Sequence, residues 1–263
     1  MKKIVIIGFG AMAQSVLKLL PDTVQLMAVI ASENSYTRIC QIVPPGTQVV
    51  RDANDISGQP DLVLEMAGQA GLRAHAANVL ARQWPLAVIS VGALADKQLA
   101  DELQDAARKH QTKIHLLSGA VAGMDGLYAA SCLGLEKVQY QGRKPPAGWK
   151  GSHAEKLVDL VNLTEPTVFF TGSAREAARL FPANSNVAAT IGFAGIGLDD
   201  TEVQLIADPN VQRNSHTIHA QGQFGEMRIE LQGVPLPDNP KTSTLAALSV
   251  VRACKQLEQA III

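Results

Sequence analysis

The sequence contains few cysteines, few aromatic residues and little charge of either sign. Its 263 residues include three cysteines, with 4% aromatic and 18% charged residues, and Lys plus Arg (23) nearly cancel Asp plus Glu (24). The cysteines form no CxxC pair, which argues against a zinc cluster and against a disulfide framework. No run of like charge indicates a nucleic-acid or acidic membrane surface. We therefore expect a small-molecule partner and no nucleic acid.

Long apolar runs are also missing, since no stretch reaches the roughly 18 to 20 unbroken apolar residues of a membrane-spanning helix. Two lysines before the first apolar run resemble the start of a signal peptide. Gly8 and Gly10 interrupt that run, which argues against a signal peptide. The composition, with 47% apolar residues, is that of a globular protein and excludes a fully disordered chain. We expect a soluble, cytoplasmic protein with no membrane partner.

The first half of the chain alternates between short apolar runs and helical stretches, the pattern of a parallel sheet with crossover helices. Continuous apolar strands are expected where helices cover both faces of a sheet. The first half is therefore predicted to be doubly wound. The predicted strands cover residues 4–7, 24–30, 62–65, 87–91 and 113–117, and the predicted helices cover 11–20, 71–83 and 94–110.

After Ser118 the pattern changes, and three consecutive strands with short turns favour an antiparallel or mixed sheet. A loop rich in Gly and Pro at 143–152 is expected to be mobile and is a candidate lid. A terminal helix is predicted from the Asn239-Pro240 cap to about residue 259. The other predicted helices cover 119–133, 174–181 and 185–194, and the strands cover 137–141, 167–171, 203–207, 215–221 and 226–231.

The first strand leads into a glycine turn with the spacing GxGxxA. Gly8 permits the tight turn, Gly10 lets the backbone approach a pyrophosphate, and Ala13 allows close packing of the following helix. Backbone N–H groups at the helix start, at Ala11 and Met12, are placed to hold the anion. The pattern predicts a dinucleotide site.

The preferred cofactor stays open between NAD and NADP. The carboxylate that binds the adenosine ribose normally ends the second strand, where this sequence has Ala31, with Glu33 lying past that position. Without a fixed carboxylate, a 2′-phosphate need not be repelled, and Ser32 or Arg38 are candidates to accommodate it.

Among the histidines, His216 and His219 stand out because they follow a polar turn and enter a strand. With a period of two they point to opposite faces, so they do not readily serve one site. The others, His75, His110, His115 and His153, are expected to be solvated or structural. Two polar clusters have two interpretations each. In the first cluster, Asn184 or Ser185 caps a helix, or Asn186 contacts a ligand. In the second cluster, Lys241 belongs to a helix start and is also a candidate to hold a carboxylate.

Several stretches together resemble the L-aspartate dehydrogenase family. They follow the expected order over nearly the whole chain, at 7–12, 118–125, 181–190, 208–218, 222–225 and 239–243. The resemblance implies an α/β fold with an N-terminal Rossmann domain, a doubly wound parallel sheet, formed by 1–117 plus 240–263. It also implies a smaller α/β catalytic domain with a mixed or antiparallel sheet at 118–239, which forms subunit contacts. A homodimer is expected because symmetric dimers are the commonest soluble oligomers, with the sheet of the second domain as its interface. The overall plan is similar to that of homoserine dehydrogenase and dihydrodipicolinate reductase.

The resemblance implies reversible oxidation of L-aspartate to iminoaspartate with NAD or NADP. Hydrolysis then gives oxaloacetate and ammonia, or the imine feeds NAD biosynthesis. In this family pattern His216 is the catalytic histidine, and Ala120 and Asn186 contact the nicotinamide end of the cofactor. We hypothesise that His216, with a near-neutral pKa, takes a proton from the water that attacks the iminium carbon. Asn214, Lys241 and Thr242 are candidates for binding the substrate, and no metal site is expected.

Two alternatives remain at this point. One is another Rossmann reductase of the homoserine dehydrogenase or dihydrodipicolinate reductase type, because fold likeness does not fix the substrate. The other is a nucleotide-sensing protein that kept the glycine turn without catalysis. His216 and the polar clusters argue against the second alternative.

Overall fold

The computed structural model describes residues 1–182, 186–237 and 239–262, and at positions 240 and 241 it describes the backbone alone. The proposed capping residues Asn184 and Ser185 lie outside the described residues. The chain divides into two compact units, one of residues 1–117 with 246–263 and one of residues 118–245. Each unit is described by itself below.

The first unit contains a six-stranded parallel sheet, which confirms the predicted doubly wound fold. Its strands are β1 Lys2–Ile7, β2 Val24–Ile30, β3 Gln48–Val50, β4 Leu62–Glu65, β5 Leu86–Val88 and β6 Ile114–Leu116. The spatial order is β3-β2-β1-β4-β5-β6, so the chain reverses direction across the sheet between β1 and β4. Ligands of such sheets bind at the carboxyl ends of the strands beside this switch point, where the glycine turn follows β1.

The helices of the first unit are α1 Ala11–Leu17, α2 Tyr36–Ile42, α3 Gly68–Ala81 and α4 Lys97–Lys109. Strands β1 and β4 supply its core, since Ile4 to Ile7 and Leu62 to Leu64 are buried. The sequence did not predict α2 or β3. Both are short, and β3 is an edge strand whose three residues are only half-buried, so neither carries a clear apolar period.

The second unit is built on a five-stranded mixed sheet, as expected from its consecutive strands. The order is β11-β10-β7-β9-β8, with β7 and β9 parallel and the other neighbours antiparallel. These strands are β7 Leu135–Lys144, β8 Thr167–Ser173, β9 Glu202–Ala207, β10 Ser215–Gly222 and β11 Gly225–Gln232. The accompanying helices are α5 Met124–Ser131, α6 Ala174–Leu180 and α7 Asn186–Ala194.

One face of this sheet is buried and the other is open. Val138, Tyr140, Ile218 and Ala220 are almost fully buried, whereas Gln141 on the opposite face is exposed. In the register of β7 and β10, His216 lies opposite Gly142 and Ile218 lies opposite Tyr140. Directly opposed residues of an antiparallel pair share a face. His216 and Tyr140 therefore belong to the same buried face.

Two helices begin four or five residues later than predicted. The helix expected from residue 119 begins at Met124, because Gly123 has a φ of +74°, in the left-handed region. The terminal helix, α8 Thr244–Gln256, begins five residues after Asn239. Residues Asn239–Ser243 form β13 instead, which pairs with β12 Pro235–Leu236 and lies in the second unit. The Asn-Pro sequence is compatible both with a turn into a strand and with a helix start. Here the pairing with β12 stabilises the strand.

The loop expected at 143–152 also differs from its prediction. Arg143 and Lys144 complete β7, and a short 3-10 helix, Pro146–Trp149, follows. The Trp149 side chain is fully buried, and its Nε1–H donates to the Ile206 carbonyl at 3.1 Å. It also packs edge-on against Phe169, with ring centroids 4.8 Å apart. A buried tryptophan at this position argues against a lid that opens as a unit.

No helix in the described part of the chain is both long enough and apolar enough to cross a membrane. Residues 1–182, 186–237 and 239–262 also contain no group of three His, Cys, Asp or Glu placed to hold a metal ion.

Candidate active site

The glycine turn after β1 has the geometry that its spacing predicts. Gly8 has a φ of +79°, and a Cβ at this position would lie 2.7 Å from the Cβ of Ala67. A Cβ on Gly10, in contrast, would meet no atom within 4 Å. The backbone of Gly10 therefore faces open space at the start of α1, where the first N–H groups have no partner within the helix. The turn fits the pyrophosphate of a dinucleotide.

A buried carboxylate supports this turn from β4. Glu65 is 1% exposed and accepts hydrogen bonds from the backbone N–H of Ala67 at 2.9 Å and from that of Ser90 at 3.0 Å. The Ser90 hydroxyl donates a third, also at 3.0 Å. Burial raises the pKa of Glu65 above its usual value, although these hydrogen bonds oppose the shift. Glu65 thus fixes the Ala67 backbone against Gly8. The sequence analysis missed this residue, although an acid that ends an apolar strand is a usable signal.

The end of β2 carries no fixed carboxylate. Ala31 is buried, and its N–H donates to the Val50 carbonyl at 2.8 Å. Glu33 forms an exposed ion pair with Arg51 at 2.5 Å, and the Arg51 guanidinium lies 5.1 Å from the ring centroid of Tyr36. Arg51 is therefore the cation beside Glu33. Of the two residues that the sequence offers for a 2′-phosphate, Arg38 is exposed on α2, and the exposed Ser32 forms a 2.8 Å hydrogen bond with the Ser35 hydroxyl.

His216 is the buried histidine of the second unit, with 5% of its surface exposed. Its Nδ1 and the Tyr140 hydroxyl are hydrogen-bonded at 2.8 Å, and the two rings are nearly parallel. A Cβ on Gly142 would lie 2.6 Å from this hydroxyl oxygen. Glycine at 142 is therefore what allows the tyrosine to reach the histidine.

The expected near-neutral pKa of His216 was wrong. Burial lowers the pKa of His216 to about 4, and the positive charge of Lys144 contributes to the same shift. Burial also raises the pKa of Tyr140, so its hydroxyl keeps its proton. At neutral pH the pair consists of a neutral imidazole and a neutral phenol.

Lys144, which the sequence analysis did not select, ends β7 on the face that carries His216. Its Nζ lies 4.6 Å from the Trp149 ring centroid, and burial lowers the pKa of the ammonium to about 8. The neighbouring Arg143 pairs with the buried carboxylate of Asp208. Asp208 also accepts the Asn210 N–H at 2.8 Å, which holds the turn before β10. The sequence could have indicated Lys144, because alternate residues of a strand share a face and Lys144 therefore lies on the same face as Tyr140.

The structure places the remaining predicted residues as follows. Ala120 lies in the loop before α5, between Gly119 and Gly123 of positive φ. Asn186 begins α7, and its carbonyl accepts the Thr190 hydroxyl at 2.9 Å.

Asn214 directly precedes β10, and its carbonyl accepts the Gly233 N–H at 2.8 Å. Thr242, on β13, accepts a hydrogen bond from the Asn239 amide at 2.8 Å, and the side chain of Lys241 lies outside the described part. His219 points to the open face as predicted, with its Nε2 2.6 Å from Glu226 Oε1.

The residues of the dinucleotide turn, Gly8, Gly10, Ala11 and Met12, belong to the first unit. Those assigned to the nicotinamide and the substrate, from Ala120 to Thr242, belong to the second.

Nearly the whole chain is similar to known dehydrogenases. Residues 125–257 match the family described as aspartate dehydrogenase, C-terminal, and residues 8–117 match the homoserine dehydrogenase NAD binding domain. An L-aspartate dehydrogenase of Acinetobacter baumannii is 54% identical over 261 residues, 99% of each chain. One from Serratia proteamaculans is 53% identical over 257 residues, 98% of this chain and 97% of the relative.

Solved structures show the same fold. The aspartate dehydrogenase of Thermotoga maritima has a TM-score of 0.78 at 24% identity, covering 100% of this chain and 99% of that one. A dihydrodipicolinate reductase from Paenisporosarcina superposes with a TM-score of 0.52 at 13% identity, covering 98% and 94%. At these identities the likeness concerns the fold alone.

Proposed function

Because the chain belongs to the L-aspartate dehydrogenase family, we propose that it catalyses the NAD(P)-dependent oxidation of L-aspartate. The observation that carries the proposal is the identity of more than half the residues with enzymes of that name over nearly the full chain. The buried His216–Tyr140 pair supports it, since it places a positioned acid–base group in the matched region.

The proposed reaction removes a hydride from Cα and a proton from the amino group of L-aspartate, which yields iminoaspartate. Water then adds to the imine carbon, and collapse of the adduct gives oxaloacetate and ammonia. In the reverse direction ammonia and oxaloacetate form the imine before hydride addition. A bound nicotinamide cofactor supplies the hydride acceptor. We include a supply of iminoaspartate to NAD biosynthesis as part of this proposal.

The proposed cofactor-binding residues begin with those of the glycine turn after β1. Gly8, Gly10, Ala11 and Met12 would bind the pyrophosphate through the open backbone of the turn. By the family pattern, Ala120 and Asn186 would contact the nicotinamide end. Both NAD and NADP are accepted in this proposal, because Ala31 leaves the ribose side of β2 without a fixed carboxylate.

In the proposed mechanism His216 accepts a proton from the water that attacks the imine. A neutral imidazole carries one ring proton, so a base at Nε2 requires the proton on Nδ1. The Nδ1–H group would then donate to the Tyr140 oxygen, and this contact would hold the ring orientation. The low pKa of His216 keeps the ring neutral and able to accept. In reductive amination the same nitrogen returns the proton.

Asn214, Lys241 and Thr242 remain proposed substrate-binding residues. Thr242 already accepts the Asn239 amide, so its hydroxyl hydrogen is the part left to donate. We also propose a homodimer, with the open face of the second sheet as its interface. Half-exposed polar side chains such as Gln139 and Thr217 line that face, which suits a polar subunit contact.

The deciding experiment is the initial rate of NADH and NADPH oxidation with oxaloacetate plus ammonium. Oxaloacetate without ammonium, pyruvate, 2-oxoglutarate and aspartate semialdehyde serve as controls. Ammonium-dependent oxidation specific to oxaloacetate is the expected result. Turnover of another control alone would assign a different reductase of the same fold, and nucleotide binding without any turnover would favour a sensor.

A further inference from the structure

Three segments of the second unit meet around two glycines. A Cβ on Gly148 would lie 3.3 Å from the Lys144 Cβ and 3.7 Å from Asn214 Oδ1. A Cβ on Gly233 would lie 3.5 Å from Ser243 Oγ and 3.7 Å from the Asn214 carbonyl. Lys144 and Ser243 therefore flank Asn214, the residue two positions before His216. All belong to the unit of residues 118–245.

Lys144 brings a positive charge close to the histidine. Its Nζ lies over Trp149, a ring that is fully buried and fixed by its own hydrogen bond to Ile206. The ammonium is coupled to His216 strongly enough to contribute to the lowered pKa of that ring. Desolvation disfavours the charged amine, which a carboxylate entering the site would offset.

Ser243 brings an unused hydrogen-bonding group. In the described part of the chain its Oγ is buried and has no hydrogen-bond partner. Buried hydroxyls are normally satisfied by protein or water, so an unpaired one in the cluster around Asn214 indicates a ligand with polar atoms. A carboxylate suits both groups, because it accepts from an ammonium and from a hydroxyl at once.

We infer that Lys144 and Ser243 bind the substrate, with the Lys144 ammonium on one carboxylate beside His216 and the Ser243 hydroxyl as a second donor. The inference rests on the proposed function and deepens it, since it names the ligands of the dicarboxylate. Lys144 would thus be a second carboxylate-binding residue besides Lys241. The anchored Trp149 gives Lys144 a rigid support that a surface lysine lacks.

The test compares Lys144→Met and Ser243→Ala with the wild type in the reductive direction. Lys109→Met is the control, since Lys109 is an exposed lysine at the end of α4, outside the sheet whose open face is the proposed dimer interface. Loss of a buried charge-assisted contact predicts a KM for oxaloacetate raised about 30-fold or more in Lys144→Met, and loss of a neutral one about 3–10-fold in Ser243→Ala. The NADH dissociation constant, from fluorescence titration, stays within about twofold.

Malonate serves as a dicarboxylate probe, and its dissociation constants, measured in parallel by calorimetry on the NADH complex, rise with the same ranking. Lys144→Arg, which keeps the charge, has a smaller effect and replaces Lys144→Met if the latter does not fold. An unchanged KM and malonate affinity in an active enzyme overturns the inference. A fall in kcat alone also overturns it, because Lys144 would then act only through His216. An inactive wild type refutes the proposed function itself.

Discussion

The hydroxyl of Tyr140 and the Nδ1 of His216 form a 2.8 Å hydrogen bond between two neighbouring strands of the second sheet. The bond is diagonal, because His216 lies opposite Gly142 and Tyr140 lies opposite Ile218. It leaves Nε2 as the nitrogen available for chemistry. Replacing each residue alone separates the chemical role of the ring from the contact that positions it.

Replacing His216 by alanine removes the proposed acid–base group. We expect turnover to fall by roughly two to four decades while cofactor affinity stays nearly intact, because general acid–base catalysis contributes on that scale. Steady-state rates with oxaloacetate and ammonium, and NADH titration by fluorescence, measure the two quantities. His219→Ala on the open face is the control. Normal turnover in His216→Ala would remove this residue from the mechanism.

Replacing Tyr140 by phenylalanine deletes only the hydroxyl that contacts Nδ1. We expect kcat to fall about 10- to 100-fold, the range seen when a group that orients a functional histidine is removed. The KM for NADH stays unchanged, because Tyr140 is assigned no cofactor contact. In His216→Ala the same Tyr140→Phe change has little further effect. Additive losses in the double variant would show that Tyr140 acts independently of the histidine.

Gly142→Ala tests whether the space above the strand is required. The new Cβ would lie 2.6 Å from the Tyr140 oxygen and 3.3 Å from Leu205. Overpacking of this kind costs about 1–3 kcal/mol in the free energy of unfolding, and activity falls with it. Urea denaturation measures the loss. Adding Tyr140→Phe removes the closest atom and restores part of the stability, whereas equal stability of the single and double variants would contradict the steric cause.

The fold and part of the site follow from sequence periodicity, and the rest depends on contacts that periodicity does not encode. The apolar runs that became β1, β2 and β4 have the predicted places, and the period of two put His216 and His219 on opposite faces. The Lys144–Trp149 contact depends on how the 3-10 turn folds back after β7, which no residue spacing specifies.

Burial explains the wrong expectation about the pKa of His216, and strand pairing explains the wrong start of the terminal helix. The pKa of His216 is about 4 rather than near-neutral because the ring is buried, and the positive charge of Lys144 adds to the shift. Asn239-Pro240 became a strand because pairing with β12 outweighs a local preference for capping a helix.

The Glu33–Arg51 pair is expected to govern cofactor choice. Glu33→Gln removes the carboxylate that pairs with Arg51 and leaves this guanidinium available to a 2′-phosphate, so the ratio of kcat/KM for NADPH to that for NADH rises about 5- to 10-fold. Arg51→Gln lowers the same ratio. Arg38→Gln is the control, since Arg38 is exposed on α2. If Arg38→Gln changes the ratio and Arg51→Gln does not, the assignment of the cation is wrong.

The low pKa of His216 makes stability depend on pH in a defined window. The unfolded histidine binds a proton near pH 6.5, whereas the folded one stays neutral down to about 4. Between these values the unfolded state holds more protons, so stability falls as pH decreases through the window and this loss levels off below pH 4. The contribution is about 2 kcal/mol at pH 5, relative to pH 8.

Urea denaturation at pH 8 and pH 5 tests this sign with His216→Asn as the reference. The variant lacks the titrating ring, so its loss of stability over the interval is smaller than that of the wild type by about 2 kcal/mol. The comparison cancels the contributions of other groups, such as Glu65, that titrate in both proteins. Equal losses would mean that the folded His216 titrates near its unfolded value, and the neutral Tyr140–His216 pair would then not persist below pH 6.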